Sequence, residues 1–107
     1  MKVSELAEIL SLECINMAED TEISDCYIGD MLSVVMSKAP ESGAWLTVQT
    51  NINITAVSAL VGLACVIVVE GMEIDDATVR KAQEQEITIL RTEKTAYELA
   101  VKISELI

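Results

Sequence analysis

The order of apolar patterns along this 107-residue chain predicts an α/β fold, a three-layer sandwich with a mostly parallel central sheet and helices on both faces. Two observations carry this prediction. The run CVIVVE, residues 65–70, is almost continuously apolar and rich in β-branched side chains, which is the pattern of a central parallel strand buried on both faces. From Ala44 onward, strand-like and helix-like periods alternate with short connections, as in successive βαβ units.

The first 40 residues predict two helices and two short strands. Residues 3–10 have helical spacing, with Ser4 as the expected N-cap. The stretches LECINM and TEISDCYIGD each predict a strand, and their direction relative to the other strands stays open. Asp30 is the expected N-cap of a second helix, which Pro40 ends because proline has no backbone N–H to donate.

The second part of the chain predicts three strands, each followed by a helix. The strands are AWLTVQT, CVIVVE and EITILRT. The first helix has an apolar face from Val57 to Ala64 and contains Gly62, which we interpret as a point of close packing against the sheet. Asp75 caps the second helix, which runs to Gln85, and Thr95 with Glu98 has the spacing of a capping box for the third.

Composition excludes some classes of function. Eighteen acidic against seven basic residues, a net charge of −11, argue against nucleic acid and anionic membranes as partners, since both are bound by clustered Lys and Arg. No apolar run reaches the roughly 20 residues needed to span a bilayer, and the start of the chain lacks the pattern of a signal peptide. Three widely spaced cysteines fit a reducing compartment, so we expect a cytoplasmic protein with one domain over residues 1–107.

The residues of common catalytic sites are missing. The chain has no histidine, and its four glycines form neither a phosphate-binding P-loop nor a dinucleotide fingerprint. We expect Cys14, Cys26 and Cys65 to be buried and inert, and no C-x-x-C spacing indicates a metal site. The sequence therefore predicts no catalytic residue, no metal and no cofactor, and a protein that is not an enzyme.

Candidate ligand-binding residues follow from the predicted architecture. In open parallel sheets, ligands sit beyond the carboxyl ends of the strands, near helix N-termini. The residues at the four predicted strand ends are Gly29, Asp30, Gln49, Thr50, Asn51, Glu70, Gly71 and Thr92. The segment VQTNINIT, residues 48–55, is the densest in uncharged polar side chains.

Helix capping alone also explains these residue types. Asn51 or Asn53 as the N-cap of the following helix needs no ligand, and Asn, Thr and Asp are the residues that capping selects. Glu70 argues against a phosphate at this edge, because a carboxylate repels it.

Three segments resemble the DRTGG domain family: GDMLSVVM, AWLTVQTNINITAVSAL, and the stretch from CVIVVE to TAYELA. The name-giving motif is degenerate, with Val69-Glu70-Gly71 where many relatives have Thr-Gly-Gly. The resemblance covers roughly residues 25–100. It implies an α/β domain related to the N-terminal half of bacterial HPr kinase/phosphorylases.

The resemblance also implies a regulatory or dimerising role without catalysis. Our first hypothesis is a homodimeric module that binds a protein partner, with Trp45 as a possible anchor of the interface. The alternative is a sensor that binds a nucleotide or metabolite at the carboxyl edge of the sheet.

Overall fold

Five helices and five strands make up the computed structural model, which describes all of residues 1–107. In chain order they are α1 (Val3–Ile9), β1 (Glu13–Asn16), β2 (Cys26–Ile28), α2 (Leu32–Lys38), β3 (Ala44–Thr47), α3 (Asn53–Val61), β4 (Cys65–Val68), α4 (Asp76–Gln85), β5 (Ile89–Arg91) and α5 (Ala96–Ser104). The strands form one sheet in the order β1-β5-β4-β3-β2. Strands β2 to β5 are parallel and β1 is antiparallel to β5, so of the two early strands only β2 joins the parallel set.

The central strand β4 explains why the sheet needs helices on both faces. Its residues Cys65, Val66, Ile67 and Val68 are all 0% exposed, as the continuous apolar run predicts. Alternate side chains enter opposite cores, with Cys65 and Ile67 in one and Val66 and Val68 in the other.

The helices divide between the two faces of the sheet. Leu6 of α1 and Leu99 of α5 belong to one core, whereas Val35 of α2, Ile54 of α3 and Ala82 of α4 belong to the other. The predicted three-layer α/β arrangement is therefore confirmed. The longest helix, α4, has 10 residues, and no helix is long and apolar enough to cross a membrane.

Two predicted helix caps are wrong, because tertiary partners take those side chains. Helix α1 begins at Val3 after Lys2, and Ser4 lies inside it, where its N–H and hydroxyl donate to the Asp20 carboxylate at 3.0 and 2.5 Å. These bonds hold the pKa of the Asp20 carboxyl below its usual value. Helix α2 begins after Met31, and the Asp30 carboxylate bonds to β3 and the residue after it instead.

Gly62 ends helix α3 and does not lie inside it. Its φ of 76° is the left-handed conformation that glycine adopts without steric cost, and its N–H donates to the Ser58 carbonyl at 3.0 Å. The interpretation as a packing glycine is therefore wrong. The capping box of α5 is confirmed: the Thr95 hydroxyl accepts from the Glu98 N–H at 3.2 Å.

The cysteines differ in exposure. Cys65 is buried and Cys26 is half-buried, and burial raises the pKa of their thiols to about 12 and about 11. Cys14 is exposed, which contradicts the prediction of three buried cysteines. Its strand β1 lies at the edge of the sheet, where one face is not covered as β4 is.

Candidate functional site

The carboxyl ends of β2 to β5 lie along one edge of the sheet and carry all the sequence-predicted ligand residues. Gly29 and Asp30 follow β2, the segment 49–51 follows β3, Glu70 and Gly71 come shortly after the end of β4, and Thr92 follows β5. Neighbouring strands are about 4.8 Å apart. Hydrogen bonds between the loops divide the residues into a group at β2–β3 and a group at β4–β5.

The β2–β3 group is a chain of hydrogen bonds that fastens one loop to the other. The Asp30 carboxylate accepts from the Thr47 hydroxyl at 2.8 Å and from the Val48 N–H at 2.9 Å. The Gln49 amide donates to the Asp30 carbonyl at 2.8 Å, and the Asn51 amide donates to the Gln49 side-chain oxygen at 2.9 Å. Since Asp30 takes the Val48 N–H from the strand ladder, β3 ends at Thr47, earlier than predicted.

Two further contacts tie the segment after β3 to its surroundings. The Thr50 carbonyl accepts from the buried Thr78 hydroxyl of α4 at 2.8 Å. The Asn51 side-chain oxygen accepts from the Asn53 N–H at 2.9 Å, which satisfies a free N–H at the start of α3. The N-cap of α3 is Ile52, so the prediction of Asn51 or Asn53 as the N-cap is wrong, although the Asn51 side chain does bond to the first N–H of the helix.

Trp45 is enclosed beneath the same loops. It is 0% exposed, and its indole N–H donates to the Gly29 carbonyl at 2.7 Å. The suggestion that Trp45 anchors a subunit interface is therefore wrong. A tryptophan with both its ring and its N–H satisfied inside the core serves packing.

The β4–β5 group is held together by its backbone. Glu70 and Gly71 are both left-handed, with φ of 61° and 64°, so the chain turns sharply after β4. The Gly71 N–H donates to the Thr92 carbonyl at 2.9 Å, and the Glu70 N–H donates to the Lys94 carbonyl at 2.8 Å. Glu70 costs free energy in this conformation, because its Cβ crowds the following carbonyl, as glycine would not.

Arg91, at the end of β5, is the most connected side chain of this group, and the sequence analysis did not select it. Its guanidinium donates to the carbonyls of Met72 and Gly71 at 2.7 and 2.5 Å. Its ion pairs are with Glu13 at 3.1 Å, Glu73 at 3.6 Å and Glu93 at 3.7 Å. A charged side chain at the end of a buried apolar strand needs polar partners, because burying an unpaired charge costs free energy. The position of Arg91 at the end of such a strand was therefore the signal by which the sequence could have identified it.

A polar cleft opens beside Thr92 at this end of the edge. Its volume is about 360 Å³ and its lining, which has no hydrophobic residue, consists of Ser11, Glu13, Arg91, Thr92, Glu93 and Lys94. The cleft lies between the end of β5, the start of β1 and the turn that follows α1.

The eight predicted residues differ in their access to this cleft. Thr92 lines it, and Gly71 touches it through its bond to Arg91. The other six, together with Gly71, line none of the cavities of the protein. No group of three or more His, Cys, Asp or Glu side chains has the geometry to hold a metal ion.

Comparison with solved structures finds a regulatory protein with the same fold. The CBS and DRTGG domains of the regulatory region of Clostridium perfringens pyrophosphatase, solved in complex with the activator diadenosine tetraphosphate, superpose with a TM-score of 0.69 and 14% sequence identity. The match covers 92% of this chain and 44% of that chain, so this chain spans less than half the length of its structural neighbour. At this level of identity the likeness establishes a shared fold.

Comparison of sequences identifies the family. No curated protein sequence is significantly similar to this chain. The family model of the DRTGG domain matches residues 5–106, nearly the whole length, in agreement with the resemblance found in the sequence. The chain belongs to the DRTGG domain family.

Proposed function

We propose that this chain, as one domain over residues 1–107, is a regulatory domain that binds a small-molecule effector at the carboxyl edge of its sheet and catalyses no reaction. The observation that carries the proposal is the polar cleft of about 360 Å³ beside Thr92. Its size falls within the range of small-molecule sites, and its charged and hydroxyl groups can orient a polar ligand.

The chemistry of the chain supports a binding role over catalysis. It has no histidine to act as a base near neutral pH. Burial raises the pKa of the Cys65 and Cys26 thiols, which keeps them protonated and weakly nucleophilic. Two of the three cysteines are thereby unsuited to covalent catalysis.

The structural neighbour favours a sensor over a module that binds a protein partner. It is a regulatory region containing a DRTGG domain, and it was solved with a nucleotide activator. We therefore rank the small-molecule sensor, a nucleotide or metabolite being the effector, above the protein-binding module that the sequence first indicated. All three cysteines are free, which is consistent with our placing the domain in the cytoplasm.

A thermal-shift screen tests this function. The purified chain is heated with nucleotides, diadenosine tetraphosphate among them, with phosphorylated and unphosphorylated metabolites, and with simple anions. A ligand at 100 times its Kd adds about 2.7 kcal/mol to the free energy of unfolding, which raises the Tm of a domain of this size by about 10 °C or more. A flat response across the panel refutes the sensor function.

Two variants locate the effector on the edge. Thr92→Val removes a hydroxyl from the polar cleft, whereas Asn51→Ala disrupts the β2–β3 group. We expect Thr92→Val to weaken binding and Asn51→Ala to leave it unchanged. The opposite result assigns the ligand to the VQTNINIT segment.

A second function, homodimerisation, is favoured by the free edge of β2. This strand is the last of the sheet, and a largely apolar groove of about 390 Å³ runs beside it. The lining consists of Asp25, Cys26, Ile28, Ala100, Ile103, Ser104 and Ile107. Asp25 is its only charged residue, so two copies that each carry a net charge of −11 meet there with the least repulsion.

We propose that a second copy of the chain pairs with β2 across a twofold axis. Unpaired strand edges with apolar side chains favour such pairing. Ile28 is 49% exposed at this edge, and Leu60 on α3 is 73% exposed elsewhere. Light scattering should therefore give a dimer that Ile28→Lys converts to a monomer and Leu60→Lys does not. A wild-type monomer at high concentration rejects the dimer.

A further inference from the structure

Two adjacent clefts lie near the end of α1 and the start of α5. The polar cleft beside Thr92 shares Ser11 and Lys94 with a second cleft of about 200 Å³. The second cleft is lined by Ile9, Leu10, Ser11, Lys94 and Lys102. We call the two together the α1–α5 groove.

The groove concentrates positive charge in a strongly acidic protein. Arg91, Lys94 and Lys102 are three of the seven basic residues of the chain. Neither the Lys94 nor the Lys102 ammonium has a carboxylate within 4.0 Å, although 18 acidic residues are present. Both lysines therefore remain available to a negatively charged ligand.

The two carboxylates of the groove are already paired. Glu13 and Glu93 contact the Arg91 guanidinium at 3.1 and 3.7 Å, so the single positive charge of Arg91 offsets one of their two negative charges. Their side chains are 57% and 82% exposed, so either can turn into solvent. With Lys94 and Lys102, the residues that line the groove carry three positive and two negative charges, a net of +1.

Glu70 does not stand in the way of an anion. Its side chain is exposed and lines neither cleft of the groove. The Glu70 backbone does lie close to the groove, since its N–H donates to the Lys94 carbonyl at 2.8 Å. The groove lies beyond β5, toward α1 and α5.

We propose that the α1–α5 groove holds the effector through its phosphate groups, with Lys94 and Lys102 as the charged contacts. The inference rests on the proposed sensor function and names the chemical class of its ligand. The hydroxyls of Ser11 and Thr92 line the same groove and supply additional hydrogen-bond donors.

The spacing of the lysines indicates a ligand with more than one phosphate. Lys94 lies two residues before α5 and Lys102 in its last turn, and the helical part from Ala96 to Lys102 alone rises about 9 Å. Side chains on a helix lean toward its N-terminus, which brings the Lys102 ammonium nearer to Lys94. Linked phosphates can contact both ammonium groups, whereas a single phosphate contacts one.

Titration calorimetry at fixed ionic strength tests the proposal with tripolyphosphate and orthophosphate as probes. The variants are Lys94→Gln and Lys102→Gln, and Lys38→Gln is the matched control because Lys38 is an exposed lysine at the end of α2 and lines no part of the groove. We expect tripolyphosphate to bind more tightly than orthophosphate. Each groove variant should weaken binding about tenfold or more, since each removes a charge-assisted hydrogen bond, and Lys38→Gln should not. The Tm of each variant confirms that it is folded.

Four results overturn the proposal. Unchanged tripolyphosphate binding in both groove variants places the phosphates elsewhere. Equal weakening by Lys38→Gln attributes the effect to net charge alone. If tripolyphosphate does not bind while a phosphate-free metabolite raises the Tm, the phosphate inference fails and the sensor function stands. If neither binds and the whole panel is flat, the sensor function itself fails.

Discussion

The two halves of the carboxyl edge use polar residues in opposite ways. At β2–β3, side-chain amides and the Asp30 carboxylate bond to one another and to the backbone, and none of the predicted ligand residues there lines a cavity. At β4–β5, backbone bonds join the loops, and charged groups remain beside a cleft. A high density of polar residues therefore does not by itself indicate a ligand site. A ligand site is indicated by polar groups that have no partner within the folded protein.

The difference has a simple physical cause. Parallel strands of three or four residues make few hydrogen bonds to their neighbours, so other hydrogen bonds are needed to hold their ends together. At β2–β3 the side chains make these hydrogen bonds, so they are not available to a ligand. At β4–β5 the left-handed turn at Glu70 and Gly71 brings the backbones together, which leaves the Lys94 side chain free to face the cleft, beside the Thr92 hydroxyl that accepts from the Lys94 N–H at 3.2 Å.

Among the substitutions that test the difference between the two halves, Arg91→Met should change the free energy of unfolding most. The variant removes two hydrogen bonds to loop carbonyls and leaves three glutamates without their cation. We expect a loss of about 3 kcal/mol in the free energy of unfolding, measured by urea denaturation. Hydrogen exchange should accelerate at the Gly71 amide and stay unchanged at the Val48 amide. Equal acceleration at both amides would show that the halves are one unit.

Asp30→Ala tests the other half and should lower the free energy of unfolding by about 2 kcal/mol. The substitution removes the acceptor of the buried Thr47 hydroxyl and of the Val48 N–H. Exchange should now accelerate at Val48 and not at Gly71. Asp30→Asn is the control, since its amide oxygen can still accept one of the two bonds and should recover part of the loss. Effector binding should be unaffected in both variants once the protein is folded; a loss of binding in Asp30→Asn would move the site to β2–β3.

The smallest effect should come from Glu70→Gly, which we expect to stabilise the protein by about 0.5–1 kcal/mol. Glycine relieves the left-handed strain at φ 61°, and the greater freedom of the unfolded chain offsets part of the gain. Glu105→Gly is the control, because Glu105 has φ −78° at the end of α5, so glycine there should destabilise. A destabilised Glu70→Gly protein would mean that the Glu70 side chain has a structural role at this turn.

Sequence reasoning was accurate where local chemistry decides the structure. The buried strand β4, the order of the later elements and the capping box at Thr95 were all predicted, because each depends on a pattern within a few residues. It failed where the partner of a side chain is distant. Ser4 bonds to Asp20, 16 residues away, and Asp30 bonds to Thr47, 17 residues away, so neither caps its helix.

The candidate site divides in the same way. The eight predicted residues do lie at strand ends on one edge, since alternating strands and helices imply that placement. Arg91, Lys94, Lys102 and Ser11 were missed because they come from β5, the loop before α5, α5 itself and the turn after α1, and only folding brings them together.

By itself, the sequence determined the class of fold, the central strand and the edge that carries polar residues, because apolar periodicity is a local property that burial then enforces. The tertiary structure alone decided which polar side chains bond within the protein and which remain available to a ligand. A hydrogen bond or ion pair depends on distance in space, and here the deciding pairs join residues separated by 16 to 78 positions in the chain.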